Sequence, residues 1–106
     1  YTTDVVGAVG NPGSGSLGSE ITLSVAGSDI WGTADAFRFA SRAVSGDFTV
    51  TARVLSQSAT SDWAKAGVMV RSDLTAGSPN AATFIVPAGD VSFQFRGSAG
   101  GETSYR

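Results

Sequence analysis

Nine carboxylates carry most of the chemistry open to this chain: Asp4, Asp29, Asp35, Asp47, Asp62, Asp73, Asp90, Glu20 and Glu102. A carboxylate pair hydrolyses a glycosidic bond only when its members face each other across a cleft, roughly 5–10 Å apart. Here the aspartates fall at turns and strand ends, and no strand sets two of them on a cleft face. Histidine and cysteine are both absent. That removes the Ser-His-Asp triad, the Cys-His pair, the disulfide, and metal sites built on imidazole or thiolate. The residues therefore point away from catalysis. Loop aspartates could still hold calcium through hard oxygens, but there is no Asp-x-Asp-x-Asp loop, and an aspartate in a turn commonly bonds its own backbone. No other cofactor is expected.

Binding chemistry is better supplied. Trp31 lies in a Gly-flanked loop and Trp63 just ahead of a strand, so either ring could offer a flat apolar surface to a sugar or plug an end of the fold. A second candidate surface is the row Thr49, Thr51, Arg53, Met69, Arg71, Ser92, Gln94 and Arg96. Alternation places these residues on outward faces, where arginine forks suit hydroxyl-rich or carboxylate ligands. An ordinary solvated sheet face or a subunit contact is the other reading of the same row. Trp31, Trp63, Arg53, Arg71, Gln94 and Arg96 are the binding residues expected from this reasoning.

The elements that must position them are strands, because period-two alternation dominates and no helical apolar stripe occurs. Strands are expected over Ile21–Ala26, Ala36–Ala40, Phe48–Val54, Ala66–Arg71, Thr83–Val86 and Val91–Arg96. Phe37 and Phe39 should face the core. So should Phe48, Val50, Ala52 and Val54, and likewise Val91, Phe93 and Phe95, with their polar neighbours turned outward. Pro87-Ala88-Gly89-Asp90 reads as a hairpin connection. The Gly/Ser/Pro-rich stretch Gly7–Ser19 reads as an extended loop or edge, and Gly97–Arg106 lacks alternation. One apolar face per strand predicts antiparallel sheets packed as a β-sandwich, with residues 1–106 forming one domain.

The chain holds seven basic and nine acidic residues, a formal charge of −2, which is too little to attract nucleic acid. No apolar run is long enough for a membrane helix. The first residue is Tyr1, not Met, which suits removal of a leader or an upstream domain, and export to the medium or the cell surface is expected.

Four segments carry a resemblance: Asp29-Ile30-Trp31-Gly32-Thr33-Ala34-Asp35-Ala36-Phe37-Arg38-Phe39, Ser45–Val54, Trp63-Ala64-Lys65-Ala66-Gly67-Val68-Met69-Val70-Arg71 and Gly89–Arg96. In this order, with Asp4-Val5 and Asn11-Pro12-Gly13-Ser14 ahead of them, they resemble an exported bacterial module of the concanavalin A-like lectin/glucanase superfamily. The resemblance implies a jelly-roll sandwich and, by analogy of fold, carbohydrate or surface-glycan binding. Glucanase relatives carry Glu-x-Asp-x-Glu on one strand, and this chain does not. Asp4, Asp29 and Asp35 belong to the family-like segments and are the candidates for calcium.

Family domains continue past the position of Arg106 with further strands, so the resemblance implies a shortened sandwich. Unless the chain is a trimmed one, its open edges would be closed by rearranged strands, completed by neighbouring copies in a homo-oligomer or filament, or covered by a different partner chain. A non-catalytic binding or adhesion module and a self-assembling structural subunit are the two functional readings that follow.

Overall fold

A computed structural model describes residues 1–58 and 60–105. Ten strands occur among the described residues: β1 Thr2–Val6, β2 Asn11–Ser16, β3 Thr22–Ala26, β4 Ile30–Trp31, β5 Ala34–Asp35, β6 Phe37–Ser41, β7 Ala66–Arg71, β8 Asn80–Ile85, β9 Val91–Arg96 and β10 Ser104–Tyr105. The protein is all-β, every pairing is antiparallel, and no described residue is helical. No helix is long and apolar enough to cross a membrane among the described residues.

The largest sheet has the order β10-β9-β8-β7, and three two-stranded ladders, β1-β6, β2-β3 and β4-β5, make up the rest. Its β8–β9 connection forms as the sequence predicts. Gly89 N–H donates to the Val86 carbonyl at 2.8 Å, which puts Pro87 second and Gly89 fourth in a tight turn. Those are the positions at which a fixed φ and a missing side chain are favoured.

Several expectations are corrected. Gly7–Ser19 is the exception, since an edge is one of its two expected readings: it contains β2, which pairs with β3. Pro12 cannot donate to a ladder, and a proline is tolerated in such an edge position. The register slips between Asn11 and Ser14 around it, and Asn11 Oδ1 accepts from Gly13 N–H at 2.9 Å. β1 pairs with β6 along its whole length, and β10 forms in a tail that shows no alternation. β8 begins three residues before Thr83, at Asn80.

Phe48–Val54, the segment with the clearest strand pattern, forms no strand; no described residue from Arg42 to Lys65 does. A strand is stabilised by a hydrogen-bonded neighbour and a covered face, and alternation alone supplies neither. Phe48 and Val50 accordingly remain 48% and 44% exposed.

The core lies between the inner face of the large sheet and the β1-β6 ladder. Ala82 and Phe84 of β8 meet Val6 of β1, Ile30 of β4 and Phe37 of β6, with Phe39 and Met69 at the margin. Gly7, directly after β1, holds a positive φ of 76°, and a Cβ there would lie 1.9 Å from the Asp35 carbonyl oxygen. Only glycine lets the chain leave β1 this close to β5.

Which face of the large sheet is buried reverses the expectation. Three cross-strand rows point inward: Gly67-Phe84-Ser92, Met69-Ala82-Gln94 and Arg71-Asn80-Arg96. The complementary rows, Ala66-Ile85-Val91, Val68-Thr83-Phe93 and Val70-Ala81-Phe95, point outward. Gln94 and Arg96 are thus buried, while Val91, Phe93 and Val70 are exposed. Period-two spacing identifies which residues share a face. It does not say which face is covered, and here the polar face is covered because Asp35 and a set of backbone carbonyls wait beneath it.

Candidate functional site

Asp35 reaches that position through a small hairpin. Ile30 pairs with Asp35 and Trp31 with Ala34, joined by Gly32-Thr33. Gly32 has φ 57°, a positive value of the kind that two-residue hairpin connections demand. Across this ladder Ile30 and Asp35 point inward and Trp31 outward, so the hairpin serves two separate sites.

The inward site is an ion triad. Arg96 grips the Asp35 carboxylate with both terminal nitrogens, Nη2 to Oδ1 at 2.8 Å and Nη1 to Oδ2 at 2.9 Å. Arg71 Nη1 donates to the same Oδ2 at 2.8 Å. The side chains of Asp35 and Arg96 are 0% exposed and that of Arg71 1%. Burying a charge is unfavourable unless it is paired and hydrogen-bonded, and this triad is both. Arg96 also donates to the carbonyls of Gly101 at 2.9 Å, Gly32 at 3.0 Å, Trp31 at 3.2 Å and Ser78 at 3.2 Å, and to Thr103 Oγ1 at 3.1 Å. The hydrogen bonds that it donates to the Asp35 carboxylate raise its guanidinium still further above the usual arginine range, against the opposing effect of burial. One side chain thereby ties β9 to the β4-β5 hairpin and to the loops on either side of it.

Arg71 is held by the loop that follows it. Its Nη2 donates to the Thr75 carbonyl at 2.7 Å and its Nε to the Asp73 carbonyl at 3.1 Å. The loop is itself shaped by Asp73, whose Oδ1 accepts from the Thr75 hydroxyl and from Thr75 N–H at 2.9 Å. The Thr75 hydroxyl, then the Thr75 backbone, hold the Asp73 carboxyl below the ordinary aspartate range, with Ser78 and Arg71 adding to the effect. A carboxyl whose folded pKa is depressed contributes stability above its unfolded pKa and loses it as pH falls through the folded value. Carboxyl NMR titration should therefore place the Asp73 midpoint below that of free aspartate, and Thr75→Val should move it back up.

The outward site is aromatic. Trp31 is 38% exposed and lies 6.0 Å from the Tyr105 ring, centroid to centroid, at an angle of 49°. Lys65 Nζ stands 5.2 Å over the Trp31 ring and also donates to Asp29 Oδ1 at 2.8 Å and to the Ile30 carbonyl at 3.0 Å. An ammonium over an indole is favourable in itself and fixes the ring's orientation. Gln94 fastens the hairpin from beneath, donating to the same Ile30 carbonyl at 2.6 Å. The result is a wet aromatic surface with a cation and a carboxylate at its margin.

The residues expected to bind a ligand are dispersed. Trp31 belongs to the aromatic surface. Trp63 is 74% exposed in a separate turn, where its N–H donates to Ser61 Oγ at 3.1 Å. Arg53 is exposed in the irregular segment. Arg71, Gln94 and Arg96, expected on an outward face, are turned into the fold instead, because each finds an acceptor there. Asp4, Asp29 and Asp35 do not converge: among the described residues no three His, Cys, Asp or Glu side chains are grouped as a metal site. Asp4 accepts from the Thr2 hydroxyl at 3.3 Å, Asp29 pairs with Lys65, and Asp35 is neutralised by two guanidiniums. Tyr105 and Lys65 were not among the expected site residues. The lysine sits inside a family-like segment, but Tyr105 lies in a tail without periodicity and has no local signal.

Comparison with protein-family models, with curated proteins and with solved structures returned no match.

Proposed function

We propose that this chain is a non-catalytic carbohydrate-binding or adhesion module of an exported bacterial protein, built as a shortened concanavalin A-like sandwich and working at the cell surface or in the medium. The observation that supports this reading is the cluster of Trp31, Tyr105, Lys65 and Asp29. The C–H face of a pyranose is apolar and its rim is all hydroxyl. A partly exposed indole beside a phenol offers that face a matching surface, and the exposed Asp29 carboxylate beside the Lys65 ammonium offers hydroxyls an acceptor. Asp29 and Lys65 already hold each other, so a sugar would meet a pre-ordered pair and lose less side-chain entropy on binding.

The test is a glycan array followed by tryptophan-fluorescence titration with the best oligosaccharide, in a Trp63→Phe background so that Trp31 reports alone. Trp31→Ala should weaken binding at least tenfold, the equivalent of about 1.4 kcal/mol. Silence on the array, or affinity that survives Trp31→Ala, overturns the reading.

A further inference from the structure

The outward face of the large sheet has a character opposite to that of the sheet's inward face. Its three cross-strand rows contain no charged residue, whereas the inward rows contain two arginines. Val91 is 66% exposed, Val70 45% and Phe93 41%, and the rings of Phe93 and Phe95 lie 6.0 Å apart. In antiparallel sheets the apolar face is ordinarily the one that is packed. The irregular segment adjoins this surface, since Ala52 and Val54 border a groove lined by Val68, Ile85 and Val91 and also by Gly67 and Phe84 of the inward rows. Phe48, Val50 and Leu55 of the same segment remain exposed.

We propose that a second copy of this chain covers this face, the two outer sheet faces packing against each other about a twofold axis. Three six-residue strands span roughly 20 by 14 Å, and the adjoining segment brings the flat area to on the order of 400 Å² per copy. Side chains standing off the sheet raise the accessible area above the flat one, so a pair of faces reaches the roughly 1,000 Å² that a specific interface requires. A charge-free face is its own best complement. It has no like charges to set against themselves, nothing to select a charged foreign surface, and the aligned packing that two sheets adopt at about 10 Å separation is open to it.

The arrangement goes beyond the sugar-binding reading and does not rest on it. Tyr105 pairs with Gln94 and so belongs to the opposite side of the sheet from Phe93. Both surfaces can therefore be used at once.

Sedimentation velocity over a wide concentration range should show a monomer–dimer equilibrium, and Phe93→Lys should raise the dimer dissociation constant at least tenfold with an unchanged far-ultraviolet circular dichroism spectrum. Thr83 lies in the middle row of the central strand of this face, and the chain has no cysteine. Thr83→Cys therefore takes a single spin label, and dipolar spectroscopy should find a short distance between the labels of the two copies, as apposed sheets require. That second measurement decides the matter even if Phe93→Lys fails to fold. A chain that stays monomeric at the highest concentration, with residues 48–55 closing over its own sheet, overturns the proposal. So does a dimer in which labels at position 83 are too far apart to couple.

Discussion

Asp35→Ala is expected to unfold the domain or bring it to the edge of unfolding. The substitution deletes the one carboxylate between two guanidiniums that are almost wholly inaccessible to water. Removing a single partner from a buried ion pair typically costs about 3–5 kcal/mol, because the remaining charge is left uncompensated. Here two charges are stranded, against a total stability of about 5–15 kcal/mol for a domain of this size. Urea titration followed by circular dichroism should register the loss as a collapse of the midpoint. Asp35→Asn, which retains the shape and some of the acceptor capacity, should be damaged less but still strongly.

Replacing all three members with apolar residues is the informative control. In a simple buried triad such a replacement can be neutral or stabilising. In this protein it should remain destabilising, because Arg96 also supplies donors to the carbonyls of Trp31, Gly32, Ser78 and Gly101. Those acceptors would be left without that partner, and each buried one costs about 1–3 kcal/mol. An Asp35→Ala midpoint within experimental error of the parent would mean that the triad does not hold the layers together.

The same triad marks the limit of what local pattern conveys. β7 and β9 are legible to the residue, and β3 and β6 to within one, because there the local pattern coincides with a strand that finds a paired neighbour. The hairpin between β8 and β9 was legible from its proline and glycine. What alternation could not convey was which face is covered, since the pattern is symmetric under exchange of faces. Hydrophobicity assigns Val91, Phe93 and Phe95 to the core. The choice is made instead by a long-range partner, Asp35, whose position depends on the β4-β5 hairpin and on the close passage at Gly7. Phe48–Val54 failed for the complementary reason: its pattern is strong, but strand formation requires a neighbour, which lies outside any local window. Of the aromatic surface, Trp31 was legible as a ring in a glycine-flanked loop. Its neighbours Tyr105 and Lys65 are brought to it only by tertiary structure.

Phe84→Ala is expected to be the second most damaging substitution, for a different physical reason. Phe84 is 4% exposed and is the largest apolar side chain that the inner rows of the big sheet contribute. Those rows otherwise contain Gly67, Ala82, Met69 and polar residues, so the apolar contact between this sheet and the β1-β6 ladder depends on one ring meeting Val6, Ile30 and Phe37. Truncating a buried phenylalanine costs about 3–5 kcal/mol, through lost transfer energy and the cavity left behind. Its row neighbours Gly67 and Ser92 are too short to reach into that space, which argues for the upper half of the range. Phe84→Leu retains most of the volume and should cost under about half as much. The two variants also separate packing from electrostatics: Phe84→Ala should lower the unfolding midpoint equally at low and high salt. The triad is sealed from solvent ions as well, so it too should show little salt dependence, unlike the Lys65–Asp29 pair, whose carboxylate is 43% exposed. If Phe84→Ala costs less than about 1 kcal/mol, the ring does not join the layers, and the sheet is held chiefly by the ionic triad that ties it to the β4-β5 hairpin.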